Sequence, residues 1–135
     1  MQVVLAVPDR RLRLALELFL DEEPGLQLVG TTAEAAGARA LVETLSPDAL
    51  IMSWSLPGCA PDTLLAELKQ RQASLDVIVL GGDEAARSFA LAAGASAFVM
   101  SWDPPSDLTD ALRWTASRVA RAHNGPPSAP AVFTE

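Results

Sequence analysis

Short apolar runs separated by amphipathic stretches constrain the fold of this chain most. The runs have the length of β-strands and little alternation of polar and apolar residues, which is the pattern of strands covered on both faces. Four runs are clear and one is weaker: Val3 to Val7, Leu50 to Met52, Val77 to Leu80 and Phe98 to Met100, with the weaker run from Leu26 to Val29.

A helical stretch follows each apolar run. The predicted helices are Arg10 to Leu20, Ala33 to Leu45, Asp62 to Gln72, Asp83 to Ala93 and Pro105 to about Arg121. Strict alternation of strand and helix implies right-handed crossovers, because a strand feeding a helix packs back on its sheet in that hand. The sequence therefore predicts an α/β fold with a parallel sheet and helices on both faces.

Length and charge narrow the classes of function. The chain has 135 residues and a formal charge of −7. No uninterrupted apolar stretch approaches the ~20 residues of a membrane helix, and the negative charge argues against direct binding to nucleic acid. The single cysteine, Cys59, cannot form an internal disulfide, which favours a reducing cytoplasm.

One domain fits this length, and the composition changes near its end. Residues 1–121 carry the alternating pattern, whereas residues 122–135 are rich in Pro, Gly, Ser and Ala. Such a composition is typical of a disordered tail or of the start of a linker. We therefore predict one folded domain over residues 1–121.

The tripeptide Met-Ser-Trp occurs twice, at residues 52–54 and 100–102, each time where an apolar run ends. A duplicated unit is disfavoured because the residues after the two copies differ. A pair of nucleophilic serines is disfavoured because the one histidine, His123, lies in the polar tail region and no base is near in sequence. The first strand is followed by no glycine-rich turn that would bind a dinucleotide or flavin phosphate. The two copies therefore mark equivalent strand ends, where open α/β sheets carry their sites.

Several phrases together resemble a response-regulator receiver domain over residues 2 to about 120, and most closely a receiver that precedes a LuxR-type helix-turn-helix domain. The phrases are EEPGLQLVG, SPDALIMSWSLPG, LDVIVL, LAAGASAFVM and LTDALRW. The resemblance implies a flavodoxin-like (CheY-like) fold, with five parallel strands in the order 2-1-3-4-5. It also implies a part in two-component signal transduction or transcriptional regulation.

The chain departs from that family at the positions that carry its chemistry. The resemblance places the two magnesium-binding acids at Val7 and Pro8, the phosphate-accepting aspartate at Ser53, the phosphoryl-sensing hydroxyl at Gly81 and the conserved lysine at Ser101. An acyl phosphate requires a carboxylate nucleophile, and magnesium requires oxygen ligands. We therefore expect no phosphorylation, no magnesium or other cofactor, and no enzymatic activity.

A neutral pocket is the expected result of these replacements. Keeping either the aspartate or the lysine without the other would leave an unpaired buried charge, which costs about 3 to 5 kcal/mol. Ser53 and Ser101 are neutral and can form local hydrogen bonds instead. Asp9, one residue after Pro8, is favoured as a helix N-cap over a polar remnant of the metal site. Trp54 and Trp102 follow the two serines. They either close the pocket mouth or cover neighbouring apolar loops.

Signalling by this chain is expected to use protein contacts. The aromatic position that the family uses in switching is retained as Phe98, but Gly81 has no hydroxyl to follow a phosphoryl oxygen, so one conformation is expected to persist. Four apolar residues fall off the predicted core stripes: Phe89, Trp114, Leu14 and Leu18. Phe89 and Trp114 are the favoured anchors of a homodimer, because the resemblance places them on the family's usual dimerisation face.

Three functions remain open from the sequence. The first is a phosphorylation-independent receiver that acts by protein-protein contact, as a homodimer and without direct nucleic-acid or membrane binding. The second is a small-molecule sensor that uses the neutral pocket around Ser53, Gly81, Ser101 and the two tryptophans. The third is the receiver part of a longer DNA-binding regulator.

Overall fold

A computed structural model describes residues 1–100 and 107–115. Five strands form one parallel sheet in the order β2-β1-β3-β4-β5. Their bounds are Gln2–Ala6 for β1, Gln27–Thr32 for β2, Ala49–Ser53 for β3, Asp76–Gly81 for β4 and Ala97–Met100 for β5. The α/β class and the flavodoxin-like strand order predicted from the sequence are confirmed.

Helices alternate with these strands. Their bounds are Arg10–Asp21 for α1, Ala35–Leu45 for α2, Pro61–Arg71 for α3 and Glu84–Ala92 for α4, and residues 107–115 form α5. The first four lie within two residues of the predicted helix bounds. The predicted domain boundary at residue 121 lies outside the described residues, as does the tail over residues 122–135.

Two apolar clusters form the core, one on each face of the sheet. One cluster packs α2, α3 and α4 against the sheet through Ala38, Leu64, Leu65, Leu68 and Ala90. The other packs α1 and α5 against the opposite face through Leu16, Phe19, Leu20, Leu108 and Leu112. The central strands are therefore buried on both faces, which explains why their sequences show no polar alternation.

The second strand is longer than the sequence pattern indicated. The predicted run stopped at Val29, whereas β2 continues to Thr32 because Thr31 and Thr32 pair with Leu5 and Ala6 of β1. The first strand ends one residue earlier than predicted, at Ala6, although the Val7 N–H still donates to the Thr32 carbonyl at 3.0 Å. Backbone pairing with β1 thus overrides the polar composition of this edge strand.

The end of α4 shows why a glycine stands at position 94. Gly94 has a φ of +110°, a conformation that L-residues with a side chain rarely adopt. Its N–H donates to the Leu91 carbonyl, and the Ala95 N–H donates to the Ala90 carbonyl at 3.0 Å. These bonds end the helix as a C-terminal capping motif and direct the chain into β5.

Within residues 1–100 and 107–115, none of the helices is long and apolar enough to cross a membrane.

Candidate functional site

The carboxyl ends of β1, β3 and β4 lie side by side at one edge of the sheet. Ala6 pairs with Met52, and Ser53 pairs with Leu80, so Val7, Ser53 and Gly81 come to the same edge. This is the edge at which open parallel α/β sheets bind their ligands. The structure therefore brings together three of the residues predicted for the pocket.

Val7 occupies the core rather than an open pocket. Its side chain is fully buried in the cluster between the sheet and helices α1 and α5. Its carbonyl oxygen accepts a 2.8 Å hydrogen bond from Nη1 of Arg13. The prediction that Val7 belongs to the pocket is corrected in this respect, because burial removes the side chain from solvent and from any ligand.

Asp9 caps the first helix, and this prediction is confirmed. Its Oδ1 accepts hydrogen bonds from the N–H groups of Arg11 at 2.9 Å and Leu12 at 3.2 Å. These are two of the donors at a helix start that have no partner within the helix. The carboxylate that lies nearest in sequence to the family's metal-binding positions is thus used by the backbone of α1.

Ser53 is hydrogen-bonded within its own turn. Its Oγ lies 2.9 Å from Oγ of Ser55 and accepts from the Ser55 N–H at 3.3 Å. No charged partner is needed to satisfy a hydroxyl in this arrangement. The local bonding expected of a neutral replacement is confirmed at Ser53. Ser101, its predicted counterpart on β5, lies outside the described residues.

Trp54 packs on one face of the sheet. Its side chain is half-buried against the cluster formed with α2, α3 and α4, and its backbone N–H donates to the Leu80 carbonyl at 2.8 Å. This contact corresponds to the second alternative, in which the tryptophans cover neighbouring apolar surface. Trp102 lies outside the described residues, so the choice between the two alternatives stays open for it.

The ring of Phe98 occupies the space beside Gly81. A Cβ atom added to Gly81 would contact Cζ of Phe98 and lie 2.8 Å from its Cε2, closer than real Cβ atoms approach other atoms. The ring is 8% exposed and belongs to the same apolar cluster as Ala86. The absence of a side chain at position 81 therefore permits the buried position of the ring.

The side chain of Arg87 lies over this ring. Its guanidinium carbon lies 5.2 Å from the centroid of Phe98, within the range of a cation–π interaction. The Arg87 Nε also forms an ion pair with Glu84 at 3.3 Å. Arg87 was not predicted from the sequence. The one signal for it was the spacing of three residues between Glu84 and Arg87 on a helix that precedes the Phe98 strand.

Magnesium does not fit the residues at this edge. The two positions that the resemblance assigns to metal binding carry a buried Val7 and a Pro8, neither of which has a side-chain oxygen. Among the residues that the structure describes, no group of three or more His, Cys, Asp or Glu side chains could hold a metal ion. No step that requires a bound metal is derived for this site.

The apolar residues predicted to lie off the core are exposed. The exposed fractions are 47% for Leu14, 71% for Leu18, 65% for Phe89 and 47% for Trp114. Leu91 on α4 is also exposed and was not predicted. Exposure is thus confirmed for all four predicted residues, and their role in an interface stays a prediction.

Two clefts lie at the opposite edge of the sheet. One, of about 520 Å³, is lined by polar residues that precede β3 and β4, including Ser46, Asp48, Gln72 and Ser74. The other, of about 50 Å³, lies around Met1, Gly25 and Leu26. Neither cleft includes Ser53, Trp54 or Gly81.

The model of the response regulator receiver domain family matches residues 4–113. No curated protein matches the sequence significantly.

Solved structures are similar in fold. A LuxR-family DNA-binding response regulator from Staphylococcus aureus is 18% identical with a TM-score of 0.78, over 84% of this chain and 97% of that one. A CheY-like receiver domain protein from Methanospirillum hungatei is 20% identical with a TM-score of 0.80, over 90% and 97% of the two chains. The RcsB response regulator of Salmonella typhimurium is 24% identical with a TM-score of 0.80, over 87% of this chain and 60% of that one.

Proposed function

The chain belongs to the response regulator receiver domain family. We propose that it signals through protein contacts without being phosphorylated. A receiver domain is the input module of two-component signalling. The site of this receiver accepts no phosphoryl group, and its output surface stays in one conformation. It has no enzymatic activity of its own and needs no magnesium.

The chemistry of the strand ends supports the first part. An acyl phosphate forms on a carboxylate, whereas Ser53 offers a hydroxyl that is hydrogen-bonded to Ser55. The described partner of this hydroxyl is Ser55, which is not a base that could remove its proton. The position of Val7 in the core leaves no side-chain oxygen for the metal that a phosphoryl transfer would use.

The contact between Phe98 and Gly81 is the observation that carries the second part. A phosphoryl group can shift a conformational equilibrium only if it binds one state better than the other. Gly81 has no hydroxyl to bind it, and the space beside Gly81 is filled by the Phe98 ring. The guanidinium of Arg87 also lies over this ring, at 5.2 Å from its centroid. The surface around Phe98 therefore keeps the arrangement seen in the structure.

Protein partners are the proposed readers of that arrangement. Exposed Phe89 and Leu91 lie on α4 and exposed Leu14 and Leu18 lie on α1, and exposed apolar residues of this size often act as interface anchors. We expect a homodimer in the cytoplasm. Direct binding of this domain to a phosphate backbone is disfavoured by the net charge of −7.

A second candidate is the receiver part of a longer DNA-binding regulator. Two similar structures support it: the Staphylococcus aureus protein is a DNA-binding response regulator, and RcsB from Salmonella enterica was solved bound to promoter DNA. A helix-turn-helix encoded in frame after residue 135 would support this candidate. The proposed phosphorylation-independent contact would then control the attached domain. Small-molecule sensing stays a third candidate, since the pocket predicted for it includes Ser101 and Trp102, which lie outside the described residues.

Intrinsic tryptophan fluorescence tests the proposal, because Trp54 directly follows Ser53. The full chain is titrated with magnesium together with beryllofluoride, a mimic of the phosphoryl group. We expect no saturable change that requires both reagents. A saturable change that is lost in Trp54→Phe would place the mimic beside Ser53 and contradict the proposal.

A further inference from the structure

The first helix presents a second, solvent-exposed stripe opposite its core face. Leu16 and Leu20 of α1 pack against the sheet. On the other side, Leu14 and Leu18 are 47% and 71% exposed. Leu18 is the more exposed of the pair, although both lie within a well-formed helix. An amphipathic helix that already buries one apolar face has no need of a second one for the stability of its own domain.

Charged residues bound this stripe at both ends. Arg11 precedes Leu14 by three residues, and Asp21 follows Leu18 by three. Both charged residues are exposed. At 100° per residue, all four side chains fall within a narrow arc of α1. We name the four residues Arg11, Leu14, Leu18 and Asp21 the α1 seam. Its spacing of three, four and three residues is that of the apolar seam of a coiled coil.

The α1 seam is symmetric about its centre. Leu14 and Leu18 each lie two residues from Leu16, and Arg11 and Asp21 each lie five residues from it. A two-fold interface brings the same patch of both subunits together in opposite directions. Antiparallel packing of two copies therefore sets Leu14 against the partner's Leu18 and Arg11 against the partner's Asp21.

The charges at the ends of the seam are unfavourable for α1 alone. A helix prefers acidic residues in its first turn and basic residues in its last turn, because of its dipole. α1 has no acidic residue in its first turn and no basic residue in its last turn. Instead Arg10 and Arg11 start the helix and Asp21 ends it. The order of charges works against the single helix and suits an antiparallel pair.

From these observations we infer that a second copy of this chain docks antiparallel on the α1 seam. The inference rests on the proposed function, since it names the partner and surface of one contact of that module. Parallel packing is disfavoured because it would place two Arg11 side chains together. The patch on α4 fits a second copy less well, because Glu84 begins that helix and no basic residue lies in its last turn.

The contact is expected to be weak. It extends over one short helix, so its area lies at the low end for specific complexes. Glu17 flanks the seam near its centre and would approach the partner's Glu17, and this like-charge contact opposes association. Replacing Glu17 by Gln should therefore tighten the dimer several-fold without changing the seam itself.

Sedimentation equilibrium of the full chain over a wide concentration range measures this association. The double substitution Leu14→Gln with Leu18→Gln should weaken it at least tenfold, and both sites are exposed enough for the fold to survive. Circular dichroism and the thermal midpoint confirm folding of each variant. A chain that stays monomeric at every concentration, or a leucine variant that associates as the parent does, would overturn the inference.

Charge reversal provides a sharper test of the register. Arg11→Asp and Asp21→Arg should each weaken association, because each places like charges across the seam. The double variant Arg11→Asp with Asp21→Arg should restore it. None of the three should be less stable as a monomer through the helix dipole, because each new charge suits its end of the helix. Failure of the double variant to recover would exclude the antiparallel register.

Phe89→Ala with Trp114→Ala is the matched control on the other exposed apolar residues. The sequence favoured these two residues as the anchors of a homodimer, whereas the α1 seam assigns the self-contact to Leu14 and Leu18. We therefore expect this variant to associate as the parent does. If this variant dissociates and the α1 variants do not, the self-contact does not use α1 and the inference is overturned. The proposal that the receiver acts by protein contact would still stand. The proposed lack of phosphorylation fails by a different result, the magnesium-dependent fluorescence change described above.

Discussion

Phe98 fills the space that a side chain at position 81 would occupy. The residues lie on neighbouring strands, with Gly81 at the end of β4 and Phe98 within β5. A single added Cβ would collide with the ring. The ring can therefore stay buried only while position 81 is glycine. The replacement of the family's hydroxyl residue by Gly81 thus determines the conformation of the α4–β5 surface.

Gly81→Ala should displace the Phe98 ring. Forcing extra volume into a packed site costs about 1 to 3 kcal/mol, so urea unfolding should show a loss of stability in that range. The ring is the free end of a side chain, and it should move outward rather than the strand. Amide exchange on α4 and β5 should increase, because the ring leaves the apolar cluster that it shares with Ala86.

Gly82→Ala is the control for this experiment. Nothing lies within 4 Å of a Cβ built on Gly82, and the residue is exposed. The free energy of unfolding of Gly82→Ala should stay within about 0.5 kcal/mol of that of the parent. Equal losses at positions 81 and 82 would show that a general backbone effect, and not contact with Phe98, is responsible.

Asp9 should contribute to stability as a cap and not as a metal ligand. Asp9→Ala removes the acceptor for two helix N–H groups and should cost about 1 kcal/mol in urea unfolding. Asp9→Asn keeps an acceptor and should remain close to the parent. Magnesium should raise the thermal midpoint of none of the three proteins, because a ligand stabilises only a state that binds it. Magnesium stabilisation of the parent that Asp9→Asn abolishes would instead assign Asp9 to a metal site.

Ser46 should be improved by substitution with glycine. It ends α2 with φ 46° and ψ 58°, the left-handed region that costs a residue with a side chain. Ser46→Gly relieves that cost, partly offset by the freedom of glycine in the unfolded chain, and should raise stability by about 0.5 to 1 kcal/mol. Ser46→Ala retains the Cβ and should show no such gain in the same unfolding experiment.

Much of the fold could be predicted from the sequence because its central strands are buried on both faces. Val3 to Ala6 and Ala49 to Met52 have no exposed side chain, so the apolar runs mark them directly. The edge strand β2 was less visible. Its end at Thr31 and Thr32 is polar in composition and is held in the sheet by pairing with β1.

The site was predictable by position but not by packing. Strand ends placed Val7, Ser53 and Gly81 at one edge, because parallel strands share a direction. The sequence could not show that the Val7 side chain points into the core or that the Phe98 ring occupies the space beside Gly81. Both depend on how side chains from different elements fill a common volume. The position of Arg87 over the ring depends on the same packing.

Intact mass spectrometry after incubation with a small phosphodonor and magnesium tests the central claim most directly. We predict an unchanged mass for the parent and for Ser53→Ala, because β3 ends in Ser53 and not in a carboxylate, and the described partner of its hydroxyl, Ser55, is not a base. A phosphoryl adduct on the parent that Ser53→Ala lacks would show that Ser53 accepts phosphate, and would contradict a receiver that works without phosphorylation.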